Sequence, residues 1–173
     1  EPPPHGAAFP IASGEQSNLE QYCQAIRQAR RTIYLENKYV EVPEIVAALH
    51  DALARGVAVL LLLPAVPDLA PSTEVSPARA AFLVARARLA SYDHFTLCGI
   101  AGLDVEGRRQ PVYVHAKLML IDDEWATVGS CNLHHYSLFG NSELNVAFHH
   151  PATVQAMRVE LFQEHLALET AAQ

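Results

Sequence analysis

The stretch His115-Ala116-Lys117-Leu118-Met119-Leu120-Ile121-Asp122, with Gly129-Ser130-Cys131-Asn132 and Glu143 behind it, decides how this chain is read. The run is strand-like. Residues two apart on a strand share a face, so the imidazole of His115 and the ammonium of Lys117 are expected at one spot. Val114, Ala116, Leu118 and Leu120 then turn the other way, into a core. A basic group beside a fixed cation on a rigid strand suits chemistry on a phosphodiester.

Working outward, Pro111 to Ile121 and Trp125 to Gly129 flank an Asp122-Asp123-Glu124 turn, which predicts a hairpin. Upstream, Asn18 can cap a helix running to about Arg31, with Leu19, Tyr22, Cys23, Ile26 and Ala29 at helical spacing. Thr32 to Glu36 is β-rich. Pro43 opens a second helix and Gly56 ends it. Val57 to Leu63 is a continuous apolar run, the mark of a strand covered on both faces. A helix is expected from about Pro77 to Ser91 and strands over Phe95–Cys98 and Ser142–Phe148. A closing helix is expected from Pro151 to about Leu168. Ala8 to Ala12 is read as a short strand, with loops over Val66–Pro77 and Gly99–Gln110. Strands alternating with helices predict an α/β fold, and the late hairpin predicts a mixed β-sheet flanked by helices on both faces.

The 173 residues suit a single domain over residues 8–173, preceded by a Pro-rich linker tail over 1–7. Half of the chain is hydrophobic and 18% is charged, which excludes a disordered chain. A net charge of −7 counts against nucleic acid as a partner, because phosphate contacts dominate such binding. The basic residues from Arg79 to Arg88 could form a local patch, although a solvated helix face is the favoured reading. Cys23, Cys98 and Cys131 form neither a disulfide framework nor a metal knuckle. The apolar run Val57–Val66 is broken by Pro64 and falls short of the ~20 residues that span a bilayer. A start on Glu1 reads as an excised or processed piece of a longer protein.

A phosphodiester needs a nucleophile, an acid for the leaving oxygen, and positive charge on its non-bridging oxygens. Imidazole titrates between about pH 5 and 8, so His115 can serve as nucleophile or acid. Lys117 can hold a phosphate oxygen, with Ser130 and Asn132 as neutral donors. Glu143 could accept a proton from the second ring nitrogen of His115 and orient it.

With these residues in place, the chain resembles the phospholipase D superfamily, whose signature is H-x-K-x4-D followed by G-S-x-N. His115, Lys117, Asp122, Gly129, Ser130 and Asn132 complete it, and Asn141–Asn145 resembles the family's segment carrying the acidic partner. Ile33–Tyr39 resembles the strand of the family's second half, where Gln often stands in place of Lys38. After Asn132, where many relatives carry Arg-Ser, this chain has Leu133-His134-His135. The resemblance implies a phospholipase D-like half-domain that acts through a covalent phosphohistidine, with neither metal nor other cofactor. It implies that two such motifs meet, one histidine attacking phosphorus and the other protonating the leaving alcohol. The expected partner is therefore an N-terminal half of the parent chain or a second copy. In a two-half enzyme His115 would be the general acid. Asp122 is carried over with the catalytic set, although its place at the strand end suggests that it supports the loop.

The substrate expected is a phospholipid, cleaved or transferred to another alcohol as in cardiolipin synthases, which implies peripheral membrane contact and a cytoplasmic or membrane-surface location. The rival readings are a homodimeric nuclease-like phosphodiesterase and a catalytically silent lipid-binding or dimerisation module. Glu36, Lys38, His134 and His135 are candidates for the pocket rim. Adjacent histidines on a strand face opposite ways, which argues against metal chelation by His134-His135 or His149-His150.

Overall fold

A computed structural model describes residues 14–66 and 77–167. The tail, the Ala8–Ala12 strand, most of the Val66–Pro77 loop and the last helical residues expected lie outside them.

The centre of the molecule is β1 (Thr32–Glu36), a five-residue strand whose alternate sides enter two different cores. Ile33 and Leu35 face α1 (Ser17–Gln28) and α2 (Pro43–Ala54), whereas Tyr34 lies against α5 (Pro151–His165). That is why no polar alternation shows along it. β1 pairs in parallel with β2 (Ala58–Leu62), and β2 with β3 (Phe95–Cys98). On its other side β1 runs antiparallel to β6 (Leu118–Ile121), followed by β7 (Trp125–Gly129) and β8 (Asn145–His149). The sheet order β3-β2-β1-β6-β7-β8 is mixed, with α1, α2 and α3 (Pro77–Arg88) on one face and α5 on the other. The α/β reading with helices on both faces holds.

Pro43 stands at the first turn of α2, and Gly56 at φ +88° ends it, a backbone conformation open to glycine. Elsewhere the elements depart from expectation for identifiable reasons. Asn18 lies inside α1 and caps nothing; its amide donates to the carbonyl of Glu143 at 3.3 Å. α1 stops at Gln28 because the amides of Arg30, Arg31 and Thr32 are bound by the Asp122 carboxylate, each at 2.8 Å. The expected Gly99–Gln110 loop is a hairpin of β4 (Ala101–Leu103) and β5 (Arg109–Pro111) turned at Gly107, φ +76°. The third helix ends at Arg88 and continues as a 3-10 turn, Leu89–Ser91. A short helix, α4 (His135–Phe139), follows Asn132, and β8 begins at Asn145 rather than Ser142.

The strand expected from Pro111 to Ile121 belongs to the sheet only from Leu118 onward. Its two neighbours run out there: Leu118 is opposite Glu36, the last residue of β1, and the amide of Gly129, the last of β7, reaches the carbonyl of Lys117 at 3.1 Å. His115 and Lys117 therefore sit on an irregular segment just off the sheet, and strand alternation does not govern them.

Candidate active site

Four segments converge at the end of the sheet where β1 and β7 stop and β6 and β8 begin. They are Asn37–Val40 after β1, His115–Lys117 before β6, Gly129 at the end of β7 with Ser130–Leu133 after it, and Glu143–Leu144 before β8. Glycine at 129 is dictated by packing. A Cβ there would lie 2.6 Å from Cα of Asn145 and closer still to the carbonyl oxygen of Leu144. With no side chain in the way, Ser130 and Leu144 exchange a backbone bond (N to O 3.0 Å), and Cys131 donates its amide to Oδ1 of Asn145 at 3.2 Å.

The loop is gripped from the β1 side by Asn37, which is buried. Its Oδ1 accepts the amides of Leu133 (3.2 Å) and Tyr39 (3.1 Å), and Glu41 donates its amide to the Leu133 carbonyl at 2.8 Å. The sequence reading passed over the roles of Asn37 and Asn145. A carboxamide just past an apolar strand, where side chains must satisfy turning backbone, is the signal that could have found them.

Lys117 is buried, 8% exposed, and donates to the carbonyl of His115 at 2.7 Å. Burial holds its ammonium below the ordinary lysine range, the charge of Lys38 pushes the same way, and Glu143 opposes both. Two cations thus crowd one place. The His115 ring is exposed, stacked on Tyr113 at 5.9 Å between centroids and 17° between planes. The Lys38 ammonium stands 5.3 Å from the centre of that same Tyr113 ring. An exposed imidazole, a partly desolvated ammonium and a second ammonium form a corner suited to an anion.

Several expected roles change. Glu143 does not meet His115: its carboxylate accepts the Ser130 hydroxyl at 2.5 Å. The O–H expected on a phosphate is therefore engaged, and Ser130 Oγ also accepts the Leu144 amide at 3.1 Å. Asn132, in the loop that follows β7, keeps a buried Oδ1 with no hydrogen-bond partner among the described residues. Asp122 lies at the opposite end of β6 from Lys117, about 16 Å away at ~3.3 Å per residue, so it is outside the corner. Glu36 is no rim residue. It faces α5, where Tyr34 donates to its carboxylate and His165 Nε2 lies 3.8 Å away. Lys38 does reach the corner, because it comes after the strand has ended. His134 caps α4, accepting the Tyr136 amide at 3.3 Å, and lies 3.7 Å from Glu41; His135 packs on Phe139 at 4.8 Å. Neither is tied to His115 or Lys117. Burial raises the Cys131 thiol to about 11, so it offers no thiolate at neutral pH. Arg79, in the basic stretch, bonds Glu41 at 3.2 Å.

An imidazole and two lysines gathered where the strands end make an electropositive corner suited to an anion. Comparison with known proteins narrows this. Residues 22–166 match the family described as "Cardiolipin synthase, PLD-like domain". The chain is 36% identical over 141 residues to cardiolipin synthase B of Escherichia coli K12, spanning 81% of this chain and 30% of that protein. NucT from Helicobacter pylori has the same fold, with a TM-score of 0.66 at 19% identity over 88% of this chain and 90% of that one. So has Nuc, a phospholipase D family member from Salmonella typhimurium, with a TM-score of 0.63 at 20% identity over 86% of each chain. The chain belongs to the PLD-like domain family of the phospholipase D superfamily. It spans about a third of the length of the curated relatives it matches.

Proposed function

We propose that this domain supplies half of a phosphodiester-cleaving or phosphatidyl-transferring site that acts on phospholipids. The observation that carries the reading is the exposed His115 beside buried Lys117 and neighbouring Lys38, at an open end of the sheet. Lys117 and Lys38 hold the non-bridging oxygens and offset the charge that builds on them in the transition state. His115 moves the proton. In a displacement at phosphorus, one group must attack while another protonates the leaving oxygen, and one imidazole cannot do both at once. A second half therefore provides the attacking histidine, which forms a phosphohistidine. His115 gives its proton to the departing alcohol and takes one back from the water or alcohol that releases the phosphoryl group.

The 36% identity to a cardiolipin synthase supports transfer between phospholipids. No helix among the described residues is long and apolar enough to cross a membrane, so contact with lipid is assigned to the surface of the domain.

The test is turnover of bis-p-nitrophenyl phosphate by the full-length protein. His115→Ala is expected to lower it at least a thousandfold with an unchanged circular dichroism spectrum, and EDTA is expected to leave the wild-type rate intact. Unchanged turnover in the variant would refute the assignment.

A further inference from the structure

A cleft of about 510 Å³ opens between α3 and the strands β2 and β3. Its walls are aliphatic and aromatic, including Leu63, Leu83, Phe95 and Leu97. Its charged lining residues are Lys38, Glu41 and Arg86, and the Glu41 carboxylate is engaged by Arg79 at 3.2 Å and faces His134 at 3.7 Å. Leu97 is 60% exposed on the edge strand, an apolar side chain with an unburied flank. Lys38 links this cleft to the catalytic corner. It lines the cleft, and its ammonium lies 5.3 Å from the Tyr113 ring that stacks on His115.

We infer that the cleft receives the apolar arm of an anionic phosphodiester whose phosphate sits at His115 and Lys117, with Lys38 at the junction. This rests on the phosphodiester reading and deepens it, because it places the part of the substrate that never reacts. The chemistry of the walls selects the occupant. A nucleotide arm needs polar edges or flat aromatic platforms for its base. Here the walls are mainly aliphatic and the charge is confined to three side chains, which fits an alkyl chain carried on an anion. The volume falls in the ~300–1,000 Å³ range of small-ligand pockets.

The probes are inorganic phosphate, phosphatidylglycerols with butanoyl and hexanoyl chains held below their micelle concentrations, and a thymidine dinucleotide, titrated by calorimetry. Affinity for the lipids is expected to rise by up to about fourfold per buried methylene. Ala87→Trp, placed on an exposed wall residue, is expected to erase that chain-length dependence and leave inorganic phosphate binding unchanged. Should Ala87→Trp fail to fold, Leu97→Glu puts a carboxylate in the cleft from an exposed position and is expected to cost hexanoyl lipid at least tenfold. Chain-length dependence that is absent in the wild type, or that survives both substitutions, overturns the inference while phosphate binding preserves the catalytic reading. Loss of dinucleotide binding alone on filling the cleft also overturns it, in favour of a nucleic acid arm. A wild-type protein that fails to bind even inorganic phosphate takes down both.

Discussion

Lys117 shows what this fold gives up for its site. Lys117 is buried as a residue, 8% exposed, so its ammonium has given up part of its water, and the hydrogen bond to the His115 carbonyl returns some of that solvation. Burial first, then Lys38, favour its neutral form. The unfolded chain therefore binds this proton more tightly than the folded one. Stability rises with pH through the depressed value up to the ordinary lysine range, and at neutral pH the charge costs the fold free energy. Lys117→Met, similar in shape and uncharged, is expected to raise Tm by about 2–4 °C in thermal unfolding while abolishing phosphate binding. In the wild type, phosphate affinity should decline as pH climbs into the region just below the ordinary lysine range. A lower Tm in the variant would show that the ammonium stabilises the fold and that its burial is fully compensated.

Among the elements, the β6–β7 hairpin explains why an aspartate ends the motif. Asp122 and Asp123 occupy the two turn positions at φ +57° and +60°, a conformation that Asp and Asn tolerate better than most residues. From there the Asp122 carboxylate collects the amides of Arg30, Arg31 and Thr32, the three residues that carry the chain from α1 into β1. Asp123 is clamped by Arg158 of α5 at 2.6 and 2.8 Å, which holds its carboxyl below the usual range. One turn thus ties the hairpin to helices on both faces of the sheet. Asp122→Asn keeps the turn geometry and replaces one accepting oxygen with a donor that faces backbone N–H groups. It is expected to lower unfolding free energy by about 1–3 kcal/mol in urea titration. Because the site lies at the other end of β6, bound phosphate should be held as tightly as in the wild type. Loss of phosphate binding at full stability would instead move Asp122 into the chemistry.

At the scale of the whole molecule, what was legible in the sequence was what burial enforces. β1, β2, β3 and α2 carry continuous apolar runs or helical spacing, and the structure has them within a residue or two. The β4–β5 hairpin was illegible because its six strand residues are all exposed, leaving no hydrophobic pattern to read. The strand expected through His115 starts only at Leu118, because residue preferences do not reveal where β1 and β7 stop offering partners. Glu36, a rim candidate by its nearness to Lys38, is still on β1 and meets Tyr34 and His165, whereas Lys38 lies past the strand end. His115 and Lys117 stood out from their spacing, but the engagement of Ser130 with Glu143 depends on how two loops meet. The same distinction bears on the second half of the site. Beside the corner, Leu144 (74% exposed) just before β8, Val146 (56%) on β8, the last strand of the sheet, and Tyr136 (68%) on α4 present apolar surface. Under the proposed two-half reading, a surface of this kind is the expected docking face for the half that carries the second histidine. If two copies of this domain form the site, specific activity must fall on dilution, because each productive site needs two chains. Val146→Lys combined with Leu144→Lys replaces exposed side chains and leaves both cores untouched. It is expected to lower turnover of bis-p-nitrophenyl phosphate at least a hundredfold with Tm within about 2 °C of wild type. Light scattering should show the complex lost in parallel; turnover that survives the double substitution would place the second half on another face.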